Sequence, residues 1–504
     1  MKISRINKIP EVISQSFTEF PKRWYFIASG AVIILASILR LWTLGGESAW
    51  IDEAYSIELA KHSLGEIING TAADQHPPLY YLLLHFWLRI GSGVAFARLF
   101  SVILGVINIG QILHFGYKTG GVYISLIGAL LLAISPMHVW YSQEVRMYIL
   151  LLCLTTASTT SLWWALRKNQ VAYWFLYCLF TILALYTQYF AVFIILAQGI
   201  WVLTWVVKGQ SKSDLWKWIV SSVISGLFFL PWLPTAINQA RFHTMTWVGS
   251  PTINIIRDTL LRLVFGIAMF TLPDNLLWVI LVIILGFTIW AFKKYLPIFS
   301  KNDGAFFYIS IWGIIPFLGI SIAALLFPVY QFKQYLIVVA PILLLGAWIT
   351  SLLPKTLRIA ALSVMILAAS ISLIYQQISL TKDDWKGAAE YIQQNSVHGD
   401  VLYGNPAASS LALAQYAQIT TPYLGIPTDY DIITGGWEGE MLSTQATGIT
   451  FDNLDQSYQR VWLIEFFPEF WDADLTVENW LEMHSILLEE HWFGRIHVRV
   501  YHFD

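Results

Sequence analysis

The chain has 504 residues, of which 57% are hydrophobic, 15% aromatic and only 12% charged. A soluble domain carries roughly 25% charged residues, so the composition excludes a water-soluble protein of this length, and the apolar content excludes disorder. The net charge of -2 argues against a basic nucleic-acid-binding face and no nucleic-acid partner is expected. What remains is a polytopic membrane protein.

In chain order, Lys2, Arg5, Lys8, Lys22 and Arg23 precede a first apolar run of about 20 residues, the length of a span rather than of a cleaved signal core. It reads as a retained first helix with the N-terminus in the cytoplasm. Apolar segments predict eleven spans near 24–44, 96–116, 120–136, 147–166, 172–189, 190–207, 216–234, 276–293, 305–327, 334–353 and 357–376. The inner loops then hold Lys118; Arg167 and Lys168; Lys208 and Lys212; Lys293, Lys294 and Lys301; Lys355 and Arg358, as the excess of cytoplasmic cations requires. The outer loops keep Arg89, Arg146, Arg241, Arg257, Arg262 and Lys333, which orientation does not need. Residues 79–90 and 253–271 read as helices on the outer surface; a spanning 79–90 raises the count to twelve or thirteen. Cys153 and Cys178 lie in apolar segments and read as small buried hydrophobes.

After residue 379 the composition changes. Residues 381–504 contain 19 Asp and Glu but only 5 Lys and Arg. The chain divides into a transmembrane domain, 1–379, and a small soluble α/β domain, 380–504, on the outer side. In the latter, 383–394 reads as a helix with an acidic start, 400–404, 460–466 and 495–503 as strands, and 478–490 as a helix.

Ionisable groups collect in three outer loops. Loop 45–78 holds Asp52 and Glu53, then Asp74 and His76, with Tyr80 just beyond; loop 137–148 holds Glu144, Arg146 and Tyr148; loop 327–335 holds Lys333 and Tyr335. Carboxylates and cations converging on one membrane face describe an enzyme site at the lipid surface. The chemistry suits sugar transfer from a lipid phosphate. Cations offset the charge of a departing phosphate, and a carboxylate takes the proton of an acceptor hydroxyl or amine. Asp52, Glu53, Asp74 and His76 also supply oxygen and imidazole donors suited to a divalent metal. Arg241, His243, Arg257 and Arg262 read as contacts to headgroup phosphates of bulk lipid, and Asp383–Asp384 as a helix start.

The run from WIDEAYS (50–56) through HPPLYYLLLHFWL (76–88) to SPMHVWYSQEVRMYILL (135–151) resembles bacterial glycosyltransferases of the GT-C membrane fold. These are relatives of the dolichyl-phosphate-mannose:protein mannosyltransferases and of the lipid A aminoarabinose transferases. The resemblance is close over about 24–170 and moderate through 376. It implies a polyprenyl-phosphate sugar donor, an acceptor that is a protein, a lipid or a glycan, and a multi-pass place in the bacterial cytoplasmic membrane. It also implies that Asp52 is the catalytic base, with Glu53 beside it, and that His76, Tyr80, Glu144, Arg146, Tyr148, Lys333 and Tyr335 handle the donor. Members usually carry an Arg-Tyr pair at the start of a late span; here that place reads Gln334–Tyr335, and Lys333 is its substitute. The competing class is a lipid or glycan transporter, which should bury charges mid-span and show two related halves. The predicted spans show neither.

Overall fold

A computed structural model describes residues 21–242, 251–266, 272–301, 304–327, 330–379, 382–426, 431–434, 454–472 and 474–503. Lys2, Arg5, Lys8 and His243 lie outside the described residues. The chain forms two compact units, one of Met1–Trp42, Ser101–Leu233 and Thr244–Leu380, the other of Thr43–Phe100, Pro234–His243 and Thr381–Asp504.

The first unit is helical. Seven helices among the described residues are long and apolar enough to cross a membrane: Lys22–Leu41, Val94–Ala133, Tyr148–Lys168, Lys212–Arg241, Ala305–Leu326, Phe332–Ser351 and Lys355–Ile378. Three of the predicted spans appear as further apolar helices, Val171–Leu185, Ala191–Val207 and Asp274–Lys301. The 40-residue helix Val94–Ala133, already among the seven, holds two of the predicted spans, because Gly121 interrupts it at φ 80°, ψ -170°. There the chain turns back on itself: Ser125 Oγ donates to the Leu113 carbonyl at 2.7 Å. A Cβ at Gly116 would come within 2.9 Å of Ser125 Cα, so glycine allows this close approach. Each of the eleven predicted positions therefore holds an apolar helix. This is a multi-pass membrane protein.

The helix Pro136–Ser142 is held from within the unit by a buried cation. Arg40 donates to the carbonyls of Ala36 (2.9 Å), Ala133 (3.0 Å) and Leu132 (3.3 Å), to Ser142 Oγ (3.3 Å), and pairs with His138 Nδ1 at 2.7 Å. His138 Nε2 in turn meets Asn108 Oδ1 at 3.3 Å. Gln143 donates to the Arg40 and Trp42 carbonyls, which fixes the residue where the helix ends.

Among the described residues, the second unit is built on a five-stranded sheet of order β2-β1-β3-β5-β4. Its strands are β1 (Asp400–Asn405), β2 (Tyr423–Gly425), β3 (Arg460–Glu465), β4 (Ile486–Phe493) and β5 (Ile496–His502). β1 pairs in parallel with β2 and β3, while β5 runs antiparallel to both β3 and β4. The side chains of β1 alternate between two cores, as the period of two requires. Leu402 faces Trp385, Ala388, Leu413 and Trp462. Val401 and Tyr403 face Leu463, Val477, Leu481 and Tyr501. Ile51 and Ala54, from the helix Ile51–Lys61, complete the first of these cores.

The helix Trp385–Asn395 starts where the sequence places it: Asp384 is its N-cap and accepts from Gly387 N at 2.9 Å. Asp383 instead binds Arg495 through both carboxylate oxygens, at 3.0 and 2.7 Å. The predicted helix 478–490 requires correction. A helix spans Thr476–His484 only, and Ile486–Phe493 is the exposed edge strand β4. The physical reason is the tight hairpin to β5, in which Phe493 pairs with Ile496 and Gly494 takes φ +71°.

Candidate active site

The first predicted loop lies in the second unit. Asp52 and Glu53 occupy the first turn of Ile51–Lys61, where the helix dipole favours carboxylates. No side chain caps the N-terminus of this helix, so tertiary contacts set the position of its first turn. Glu53 is fully buried and Asp52 half-buried. The Glu53 carboxylate accepts from Arg98 Nε (2.9 Å) and Nη2 (2.7 Å) and from Lys382 Nζ (2.9 Å). Burial alone would raise its pKa, but Lys382 and Arg98 together hold it at about 2. Asp52 differs in surroundings from its neighbour, and its backbone carbonyl accepts from Ser56 Oγ at 2.8 Å.

Asp74 is the C-cap of Leu64–Ala73, and His76 follows half-buried in the turn before the helix Leu79–Leu88. Tyr80 is fully buried on that helix, edge-on to Tyr81 with ring centroids 5.7 Å apart. Among the described residues no group of three or more His, Cys, Asp and Glu side chains is arranged to hold a metal. Glu53, with both oxygens taken by Arg98 and Lys382, does not fit such a set.

The second and third predicted loops meet in the first unit. Glu144 and Arg146 are buried in the short segment between Pro136–Ser142 and Tyr148–Lys168. Lys333 Nζ lies over the Tyr148 ring, 5.4 Å from its centroid, and Tyr148 packs edge-on against Tyr141. Tyr335 is fully buried, with its hydroxyl 3.1 Å from Ser321 Oγ. Gln331 and Gln334 cap each other, which fixes the turn presenting Lys333.

Arg262 joins this group from the helix Ile253–Phe265, with its guanidinium 5.3 Å from the Phe332 ring centroid. Desolvation pushes the Tyr141 phenol well above its ordinary range, Glu144 adds to the shift, and Arg262 opposes it. Pro136, Trp140, Tyr141, Arg262, Phe332 and Gln376 line a cavity here. The buried Gln376 Nε2 has no hydrogen-bond partner among the described residues. Gly266 ends the Arg262 helix at φ +78°, and a Cβ there would stand 2.6 Å from Ser372 Cβ and 2.7 Å from Pro136 Cγ. Arg257, by contrast, is committed to Asp258 (2.7 Å) and Asp274 (2.6 Å), which replaces the reading of it as a lipid contact.

Sequence reasoning missed Arg40, Arg98 and Lys382. Arg40 and Arg98 sit inside predicted spans, at the margins of apolar runs, and a lone cation flanking a run of spanning length was the signal available. Arg262 stood among the outer-loop cations that orientation does not need, and was read as a lipid contact.

No curated protein matches the chain in sequence. Residues 75–234 match the family described as dolichyl-phosphate-mannose-protein mannosyltransferase. Among solved structures, ArnT from Cupriavidus metallidurans in the apo state is similar at a TM-score of 0.59 and 14% identity, covering 94% of this chain and 98% of ArnT. The same protein bound to undecaprenyl phosphate gives 0.58 and 12%, covering 95% and 98%. The oligosaccharyltransferase AglB from Archaeoglobus fulgidus, in complex with an inhibitory peptide and a dolichol-phosphate, gives 0.56 and 13%, covering 93% and 73%. Residues 75–234 are thus similar to that mannosyltransferase family, and the chain shares the fold of ArnT and AglB.

Proposed function

We propose that the protein transfers a sugar from a polyprenyl-phosphate-linked donor to an acceptor at the outer face of the bacterial cytoplasmic membrane, with inversion at the anomeric carbon and Asp52 as general base. The observation that carries this assignment is the unequal setting of two adjacent carboxylates. Glu53 is sealed between Arg98 and Lys382, whereas Asp52 is half-buried on the first turn of the same helix. A base must change its proton count during turnover, and a carboxylate clamped by two cations is the wrong one for that task. A lipid-phosphate donor is supported by the fold shared with ArnT, solved with undecaprenyl phosphate, and with AglB, solved with a dolichol-phosphate.

In this reading the acceptor oxygen or nitrogen bonds to the anomeric carbon as the bond from that carbon to the phosphate oxygen breaks. The acceptor proton passes to a carboxylate oxygen of Asp52, and polyprenyl phosphate leaves as the anion. Arg146 and Lys333 offset its charge, with Arg262 as a third cation beside the Phe332 ring. Glu144 orients the donor head, and His76 and Tyr148 offer it further polar contacts. Tyr80 and Tyr335, both fully buried, act by fixing the segments around them. The acceptor class, whether protein, lipid or glycan, follows from the product.

The test is single-turnover transfer with saturating lipid-linked donor. Asp52→Asn keeps size and hydrogen bonding but loses the basic oxygen, so donor binding should survive while the rate falls by about 10²–10⁴. Unchanged turnover in this variant sinks the mechanism.

A further inference from the structure

We propose that the C-terminal sheet domain is the positioning element of the Asp52 helix and acts through Lys382, with Glu53 as the anchor it grips. The proposal rests on the reading of Asp52 as general base. It starts from a turn that cannot fix itself, since the helix Ile51–Lys61 has no side-chain N-cap. Tertiary contacts supply what the cap does not. Lys382 Nζ and Arg98 Nη2 meet on the same oxygen of Glu53, at 2.9 and 2.7 Å. Arg98 spends its remaining donors on the carbonyls of Leu44 (3.0 Å), Glu47 (2.9 Å) and Ser48 (3.0 Å), so one guanidinium ties the approach to the helix and its first turn together. Ser48 Oγ accepts from Lys386 N at 3.0 Å, and Ala49 N donates to Tyr416 Oη at 2.5 Å. Ile51 and Ala54 are buried with Trp385, Leu413 and Phe466.

Asp52 thus lies between a residue packed in the domain's core and a residue gripped by its first lysine. Neither neighbour moves without exposing a buried group. A carboxylate that must meet an acceptor proton is sensitive to displacements of about 1 Å, so this anchorage sets turnover without touching substrate. Lys382 and Glu53 are therefore positioning residues, and the domain is part of the catalytic apparatus.

The experiment compares Lys382→Met, Lys382→Arg, Glu53→Gln and the double variant Glu53→Gln/Lys382→Met in the full-length protein in detergent or nanodiscs. Two readouts are taken: donor kcat and KM across pH, and amide hydrogen exchange over residues 49–61. Lys382→Met should lower kcat by about 10- to 100-fold with donor KM within about twofold and the acid limb of the pH profile unmoved. Exchange over 49–61 should accelerate, and Lys382→Arg should restore both readouts. The double variant should lose no more than the worse single, because the two residues act as one unit. Wild-type exchange over 49–61 in Lys382→Met, or a raised donor KM with kcat intact, overturns the proposal. If the wild-type protein transfers no sugar from any lipid-phosphate donor, the functional reading fails, and the exchange measurement still decides whether the domain holds the helix.

Discussion

Asp52 and Glu53 are adjacent, yet one is half-buried and the other fully buried between two cations, and that difference was beyond the reach of the sequence. The pair itself stands out in a polar loop between apolar runs. What sequesters Glu53 does not, because its partners lie 45 and 329 residues away. Arg98 is also disguised as the edge of a span, and Lys382 as one charge in an acidic segment. The sealed carboxylate has a measurable consequence. Its folded-state pKa is about 2, below the ordinary glutamate value of 4.5. The stability it contributes is fully present above pH 4.5 and is lost as pH falls toward 2. Thermal unfolding in detergent should show the wild-type midpoint dropping through this window, while Glu53→Gln, already destabilised at pH 7, changes less. Parallel pH curves for the two proteins contradict the buried cluster.

Elements were legible to different degrees. Apolar runs of spanning length located the membrane helices, and the break at Gly121 fell at the start of the predicted span 120–136, close to Lys118. Strands β1, β3 and β5 showed through the alternation of residues such as Val461, Leu463 and Val498. β4 did not, because ILLEEHWF lacks alternation and continues the helical spacing of the segment before it; only Gly494, placed for a two-residue turn, marked the hairpin. The helix Ile253–Phe265 gives the prediction that belongs to this scale. Its last turn carries Arg262, and it stops at Gly266 against Pro136 and Ser372. Gly266→Ala forces a Cβ into that contact at a positive φ, which should destabilise the protein by about 1–3 kcal/mol. A melting curve checks the stability, and donor affinity should weaken with it as Arg262 shifts. An unaltered melting temperature and donor KM contradict the close packing.

For the whole molecule, we propose that all eleven apolar segments cross the membrane, an odd number that would place the two termini on opposite sides. Orientation then follows from the cations between segments, Lys118, Arg167, Lys208 and Lys355 among them. A tag after Asp504 should react with a membrane-impermeant label in intact cells, and a tag before Met1 should not. Labelling of both ends, or of neither, changes the count by one and reverses the side assigned to the sheet domain. The sequence also separates an apolar region from an acidic one near residue 379. It did not reveal that residues 43–100 form a compact unit with 381–504, because composition records what a segment is made of and not what it packs against.

That discontinuity bears on how the protein is made. Glu53 leaves the ribosome long before Lys382, with 329 residues between them. At about 5–20 residues per second, the interval is roughly 15–65 s. Throughout it the Asp52 segment has Arg98 for company but neither Lys382 nor the hydrophobic partners of Ile51 and Ala54. A chain cut short between Ser379 and Lys382 would therefore hold every membrane helix while the Asp52 helix lacks its lysine anchor. Such a product is a ready substrate for membrane quality control, and full-length synthesis becomes its own licence to act.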